Sequence, residues 1–335
     1  MFLRLFKNTR PAAVVVLPLI IFLVWLPGFS DTNITSLPFD RFSAPFYRPL
    51  SHFCLSHVFL SKIIALLLFF LISILIARLN LRYFFISERT YMPAFIYLIL
   101  TGGVVMLQRC SPVVFASLLL LLAIFRIFAS YKYEGIAYHY FDAALMVSFS
   151  GLIYFNSVFF IFFIWIGLLL FRVPNWREWA FSVIGFLLPY LFLFGYYYFF
   201  DKDFERLFAL FRNSVVAGNS IKDYIAELNV FLIVLVLVFV ISSFFMVKKY
   251  DTKKVHARKF FLYFFWLFAF TVVLYFIIPS FGVEALLFIA IPVSYLISHY
   301  FVFSRPGFFT RLIFILFIMS TFWAAYQSTI MGLLK

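Results

Sequence analysis

The amino-acid sequence predicts an all-α, polytopic helical membrane protein with about eleven transmembrane helices, a long first outer loop and an interfacial outer helix. Composition supports this prediction: 66% of the 335 residues are hydrophobic, 54 of them are Phe, and the mean hydropathy is +1.08. A soluble protein cannot bury so large an apolar fraction. Charged residues make up only 12%, about half of the roughly 25% typical of globular domains. We therefore expect residues 1–335 to form a single integral membrane domain.

The predicted helices follow from the apolar runs, because about 20 apolar residues are needed to cross roughly 30 Å of hydrocarbon. A single helix from residue 143 to residue 171 would be about 42 Å long and would need strong tilt. We therefore place a break at Asn156-Ser157. The predicted spans cover residues 11–27, 59–77, 93–107, 113–130, 136–155, 158–171, 180–200, 230–247, 260–278, 285–303 and 311–330.

The distribution of basic residues predicts the orientation. With the break at Asn156-Ser157, eighteen of the 27 Lys and Arg residues fall on the side of the N-terminus, including the cluster at 248–259. Without the break that cluster would lie outside, against the positive-inside rule. The sequence therefore predicts a multi-pass protein of the inner (cytoplasmic) membrane with its N-terminus inside.

The polar interval at residues 201–229 is expected to lie on the outer surface. Apolar residues recur there at helical spacing between charged ones, from Phe204 to Val215, which is typical of a helix lying flat at the interface. Gly218-Asn219 should end that helix, and Ser220 with Asp223 resembles a capping box that begins a second short helix. The alternative to a functional role is that this segment is a structural lid that takes no part in chemistry.

Charge and residue content exclude several function classes. The net charge of +14 comes from basic residues in short loops at span ends, which is the orientation signal of membrane proteins, so we expect no nucleic-acid partner. Three of the five histidines, His139, His256 and His299, fall on the predicted inner side. They cannot join His52 and His57 in a four-histidine iron cluster. We expect no metal site in this set and no cofactor, and a dependence on divalent metal is left open.

The first outer loop, residues 29–58, concentrates groups that suit chemistry at a membrane surface. Asp31 and Asp40 are candidate catalytic bases, because low-dielectric surroundings raise a carboxyl pKa towards the working range. The alternative is a solvated loop whose acids cap short helices. Candidate ligands for a phosphate are Arg41, Arg48, His52 and His57 in the loop, together with Arg109 in the turn between the third and fourth spans.

Two further sets of residues have a functional and a structural interpretation. His139 and Asp142 share a helix face on the inner side, which would suit a pocket there, although the surrounding tyrosines also fit an aromatic belt. Cys54 and Cys110 are both predicted on the outer side. They would either pair as a disulfide that ties the loop over the bundle or serve as small apolar residues at helix ends.

The sequence runs SLLLLLAIFRIFASY, FRVPNWREW and GFLLPYLFLFGYYYFF resemble an uncharacterised family of multi-span inner-membrane proteins from Bacteroidota. That resemblance covers most of the chain and implies no activity. The architecture is similar to that of the polytopic glycosyltransferases that use polyprenyl-phosphate sugars. In those enzymes an acid of the first outer loop is the catalytic base, which by position implies Asp31 or Asp40. The chain departs from their pattern in lacking an adjacent acid pair, and Arg109 stands where a second acidic motif is expected.

These observations leave two functions open. One is a membrane-embedded glycosyltransferase-like protein that acts on lipid-phosphate-linked substrates at the outer face of the inner membrane, with membrane lipids and a polyprenyl-phosphate carrier as its partners. The other is a non-catalytic membrane protein, either a lipid or polymer transporter or a subunit of a cell-envelope assembly. The spans contain few charged residues, so we do not expect proton or ion coupling across the membrane.

Overall fold

The computed structural model describes residue 6 and residues 11–30, 44–131, 137–171, 175–216, 221–305 and 307–333. Within these ranges the chain forms thirteen α-helices and two short 3-10 helices, Val105–Leu107 and Phe155–Phe160, and no β-strand. The predicted all-α class is confirmed. The helices are α1 Pro11–Ser30, α2 Arg48–Ser56, α3 Val58–Tyr83, α4 Met92–Gly102, α5 Pro112–Ala129, α6 Ala137–Ile153, α7 Ile161–Phe171, α8 Trp176–Phe199, α9 Phe204–Val216, α10 Ile221–Lys248, α11 Val255–Ile277, α12 Ala285–Phe303 and α13 Phe308–Leu333.

Seven of the described helices are long and apolar enough to cross a membrane, namely α3, α5, α8, α11 and α12 with Val230–Lys248 of α10 and Phe308–Gln327 of α13. Shorter apolar helices include Val16–Phe29 within α1 and the whole of α4. A helix pairs its backbone N–H and C=O groups internally, which is necessary in a membrane because hydrocarbon offers them no hydrogen-bond partners. The fold is therefore that of a multi-pass helical membrane protein.

Helix α12 forms the centre of the bundle. Within its apolar window 83% of the residues are buried, against 17% for α8. The Tyr295 hydroxyl of α12 donates a hydrogen bond to the carbonyl of Ile76 in α3 at 2.8 Å, and its ring stacks on Phe264 of α11 at 4.5 Å. A helix that is apolar on every side is either buried or lipid-facing. Here α12 is the buried case, and most of the surface of α8 is left to lipid.

The break predicted at Asn156-Ser157 is confirmed. Helix α6 ends at Ile153, and the 3-10 helix separates it from α7. Side chains stabilise the interruption: the Ser157 hydroxyl donates to the Tyr154 carbonyl at 2.7 Å, and Asn156 Nδ2 donates to Ser280 Oγ at 2.9 Å. Polar groups freed from the helical hydrogen-bond pattern therefore find partners inside the protein, as irregular backbone at membrane depth requires.

A helix is present where the 204–215 pattern predicts one, as α9. Asp203 begins it, since its Oδ1 accepts the backbone N–H of Glu205 at 2.9 Å in the manner of an N-cap. The ring of Phe211 meets Phe155 edge-on at 5.5 Å. This contact places α9 against the break between α6 and α7.

Several predicted boundaries were wrong. The expected second short helix before residue 230 does not exist as a separate element, because α10 is continuous from Ile221 to Lys248; its first turns lack Gly and Pro. The second predicted span, 59–77, continues as α3 to Tyr83, where Phe84 in the left-handed conformation ends it. The third, 93–107, stops at Gly102, and residues 105–107 form the 3-10 helix.

The bundle has two opposite ends with different residues. The first-loop end comprises α2, the turn 103–111, the segment 154–160 and the connection 278–284. The basic end comprises the ends of α3, α5 and α10 with the starts of α6 and α11, where Arg82, Arg126 and the cluster 248–259 lie.

Candidate functional site

Three of the predicted site residues, Asp31, Asp40 and Arg41, lie outside the described residues. Arg48, His52 and His57 are exposed on or beside α2. The ring of His57 stacks on Phe53 at 5.1 Å, and its Nδ1 lies 2.8 Å from the Ser56 hydroxyl. Residues 44–57 of the predicted loop are therefore largely helical and ordered by local contacts.

Helix α2 is anchored on the turn that contains Arg109. The hydroxyl of Tyr47, a residue only 2% exposed, donates to the carbonyl of Cys110 at 2.9 Å. The backbone N–H of Phe46 donates to the carbonyl of Leu152, the penultimate residue of α6, at 3.3 Å. The chain that enters α2 is thus fixed between the 103–111 turn and the end of α6.

The end of α1 is held by the same turn. The side-chain amide of Gln108 donates to the carbonyls of Gly102 at 2.6 Å and Val24 at 3.3 Å. Gly28 lies against that amide so closely that a Cβ would overlap Gln108 Oε1, which explains the need for glycine here. Lys62 of α3, itself buried, donates to the carbonyl of Gly28. Both flanks of residues 31–43 therefore meet the chain at residues 108–110.

Cys54 and Cys110 are neighbours in the structure. Both are buried and reduced, and their thiols share a hydrogen bond. The Cys110 thiol lowers the pKa of Cys54 to about 7, with Ser61 and Arg109 acting in the same direction and burial opposing them. The pKa of Cys110 is raised, first because its proton is engaged by Cys54 and then by burial. The two cysteines thus lie next to one another, as the predicted tether of the loop requires, but no disulfide joins them.

Arg109 lies between the first loop and a buried acid. Its side chain is half-buried, and its charge acts on the thiol of Cys54 on one side and on the carboxyl of Glu284 on the other. Glu284 comes directly before α12 and is only 1% exposed. The turn thus brings a cation close to titratable groups of two different segments.

Glu284 belongs to a buried polar cluster that the sequence did not reveal. The Tyr154 hydroxyl donates to Glu284 Oε1 at 3.3 Å and accepts from Asn156 Nδ2 at 3.1 Å. Glu284 Oε2 and Asn156 Oδ1 are buried without a hydrogen-bond partner among the described residues. We name Tyr154, Asn156, Ser280 and Glu284 the polar cluster.

Burial raises the pKa of the Glu284 carboxyl above its ordinary value. The backbone N–H groups of Glu284 and Gly282, the Tyr154 hydroxyl and the charge of Arg109 oppose this shift. A buried carboxyl prefers the protonated form because its charge is poorly solvated there. The sequence signals for the cluster were Asn156, interpreted only as a helix break, and Glu284, interpreted only as a span end.

Within the described residues, no group of three or more His, Cys, Asp and Glu side chains converges to hold a metal ion. The described side chains of the first-loop end include two guanidinium groups, two imidazoles, a buried acid, hydroxyl and amide groups, and two thiols. No protein-family model matches this chain, and neither a curated protein nor a solved structure matches it.

Proposed function

We propose that this is a membrane-embedded glycosyltransferase-like protein that acts on lipid-phosphate-linked substrates at the outer face of the inner membrane. In this proposal the N-terminus is inside and the first-loop end faces outward. The charge asymmetry supports that orientation, since eighteen of the 27 basic residues fall on the opposite side. The substrate partners are a polyprenyl-phosphate carrier and membrane lipids.

The observation that carries the proposal is the anchoring of both flanks of the 31–43 segment beside Arg109. Gly28 meets Gln108 on one flank, and Tyr47 binds Cys110 on the other. The described flanks of the segment that contains the candidate bases Asp31 and Asp40 therefore both lie beside the turn that contains the half-buried Arg109.

The proposed reaction transfers a sugar to an acceptor hydroxyl. Asp31 or Asp40 takes the proton as the acceptor oxygen forms a bond to the anomeric carbon. The bond between that carbon and the phosphate oxygen breaks, and the lipid phosphate leaves with the electron pair. Arg109, with Arg48 and His52 or His57, stabilises the negative charge on the departing phosphate.

The polar cluster supports Arg109 in this proposal. A guanidinium half-buried at a membrane surface has to be held in place if its donors are to meet a phosphate. Glu284 acts on Arg109 electrostatically, and its own position is fixed by Tyr154 and by the backbone at Gly282. The cluster thus positions the cation and does not itself contact substrate.

The test uses full-length protein purified in mild detergent with its native lipids. We expect mass spectrometry of the extract to find a polyprenyl phosphate bound to the wild type and lost from Arg109→Gln. With labelled polyprenyl-phosphate sugars, Asp31→Asn, Asp40→Asn or the double variant should reduce transfer by about 100-fold or more, the scale expected of a general base.

Asp201→Asn is the matched control, because Asp201 is exposed at the end of α8 and has a positive φ of 44° that Asn accepts. It should transfer as the wild type does. A wild type without polyprenyl lipid, together with normal function of the double Asp variant, would overturn the proposal. We would then prefer the alternative that the protein is a non-catalytic transporter or a subunit of a cell-envelope assembly.

A further inference from the structure

The basic end contains a pocket of about 560 Å³ that the proposed function does not use. Four helix ends enclose it: the end of α3, the end of α5, the start of α6 and the start of α11. The polar groups that line it are Arg82, His139 and His256, and the aromatic ones include Phe128, Tyr131 and Phe260. Its volume falls within the range of about 300–1,000 Å³ found for small-molecule sites.

The pocket is apolar on its inner side. Phe128 and Phe260 stack on one another with centroids 4.2 Å apart and planes at 18°, and both are fully buried. Towards the surface, Arg82 is exposed, with its guanidinium 5.6 Å from the centre of the Tyr83 ring. An apolar floor below a cationic rim fits an amphiphile.

The charge around the pocket is positive among the residues that the structure describes. None of the described lining residues is a carboxylate, and Asp142, an acid that acts on His139, is paired with Arg126 at 3.4 Å. Arg82 acts on His139 as well, and Lys259 lies 5.9 Å from the centre of the Tyr131 ring. The Nδ1 atom of His139 is buried without a hydrogen-bond partner among the described residues.

We infer that this pocket binds the phosphate group of a membrane lipid. A guanidinium and imidazole N–H groups are suitable donors to phosphate oxygens. Basic pockets between transmembrane helix ends suit anionic head groups, and the apolar floor would receive the glycerol and the first part of the chains. The site lies at the opposite end from Arg109 and does not depend on the proposed transfer reaction.

The experiment titrates full-length protein in a non-ionic detergent with short-chain phosphatidylglycerol, followed by calorimetry or native mass spectrometry. Phosphatidylcholine of the same chain length, glycerol phosphate and inorganic phosphate are the comparison ligands. We expect phosphatidylglycerol to bind more tightly than the other three. Arg82→Gln should weaken that binding about tenfold or more, as expected for the loss of a charge-assisted hydrogen bond.

Arg89→Gln is the matched control, because Arg89 is exposed in the turn after α3 and does not line the pocket. It removes the same charge and should leave the affinity nearly unchanged. Ala129→Leu reduces the pocket without changing its charge and should also weaken binding. Unfolding temperatures of all variants verify that the fold is retained.

Three results would overturn the inference. Equal binding of phosphatidylcholine, whose phosphate charge is balanced by its choline, would show that the pocket does not select an anionic head group. Binding of inorganic phosphate or glycerol phosphate as tight as that of the lipid would assign the pocket to a soluble phosphate. Equal effects of Arg82→Gln and Arg89→Gln would show that only the general charge of the basic end matters.

Discussion

Glu284 is a buried acid at the first-loop end, where burial and a nearby positive charge have opposite effects on its pKa. It is 1% exposed, and one of its oxygens has no hydrogen-bond partner among the described residues. Burial raises its pKa in spite of Arg109 and the two backbone donors. Because the folded-state pKa lies above the unfolded value, the folded protein binds this proton more tightly than the unfolded chain does.

Glu284→Gln should therefore change how stability depends on pH. Stability due to the protonated carboxyl is present at low pH and is lost as pH rises through the folded-state pKa. The amide retains the shape without the charge, so the variant should gain in unfolding temperature relative to the wild type as pH increases. Thermal unfolding in detergent from about pH 5 to about pH 9 measures this difference. Glu205→Gln, at an exposed acid of α9, is the control; an equal difference at every pH would contradict the assignment.

The thiol pair gives a second prediction at this scale. Cys54 and Cys110 share a hydrogen bond, and the pKa of Cys54 is lowered to about 7, so a thiolate is available near neutral pH. Diamide should form the disulfide: the two S–H bonds are lost, the S–S bond forms, and diamide accepts both electrons and protons. After denaturation, mass spectrometry should then find no alkylatable thiol in the wild type. Alkylation of both cysteines after oxidation would show that they do not meet in solution.

The contacts of single residues could be predicted from the sequence only where their partners are near in the chain. The placement of Cys54 and Cys110 at one end followed from counting spans, but their contact did not. The nearby Tyr47–Cys110 hydrogen bond joins residues 63 apart in the chain. Glu284 and Tyr154 are 130 apart. No periodicity reports a contact over such separations, so the polar cluster was missed.

Among the elements, α6 and α8 pack closely at a glycine. A Cβ on Gly185 of α8 would overlap the backbone carbonyl of Phe141 in α6. Backbone cannot move aside as a flexible side chain can. The two helices therefore depend on a small residue at this point, as helix pairs in membranes often do.

Gly185→Ala should force α6 and α8 apart and destabilise the protein by about 1–3 kcal/mol, the usual cost of overpacking. Gly195→Ala is a matched control on the same helix, because a Cβ there meets nothing within 4 Å. It should be neutral or stabilise by up to about 1 kcal/mol through helix propensity. Denaturant or thermal unfolding of both variants provides the comparison, and equal stability would show that the contact is looser than described.

Helix positions were largely predictable because apolar length and polar interruptions are local properties. The α12 span, 285–303, was predicted with the bounds that the structure gives. The failures came at helix ends: α10 begins in a polar stretch, and α3 continues beyond its apolar run as far as Tyr83. Helical hydrogen bonding continues into residues that no longer need to be in lipid, so hydropathy underestimates helix length there.

At the scale of the whole molecule, the two ends differ in chemistry. The first-loop end combines a half-buried Arg109 with the buried polar cluster. The basic end combines a cluster of cations at 248–259 with an aromatic pocket. Burial lowers the pKa of Lys253, in that cluster, to about 8, with Lys249 acting in the same direction and Glu88 opposing. The proposed transfer at the outer face depends on which end faces which compartment.

Reporter fusions measure that orientation directly. A fusion after Ala217 should report the outer compartment and a fusion after Lys254 the cytoplasm, because α10 crosses the membrane between them and the basic cluster stays inside. A phosphatase and a fluorescent reporter at each site give opposite signals for the two sides. We predict an outer signal at Ala217 and an inner signal at Lys254; the reverse orientation, or the same side at both positions, would contradict the proposed topology.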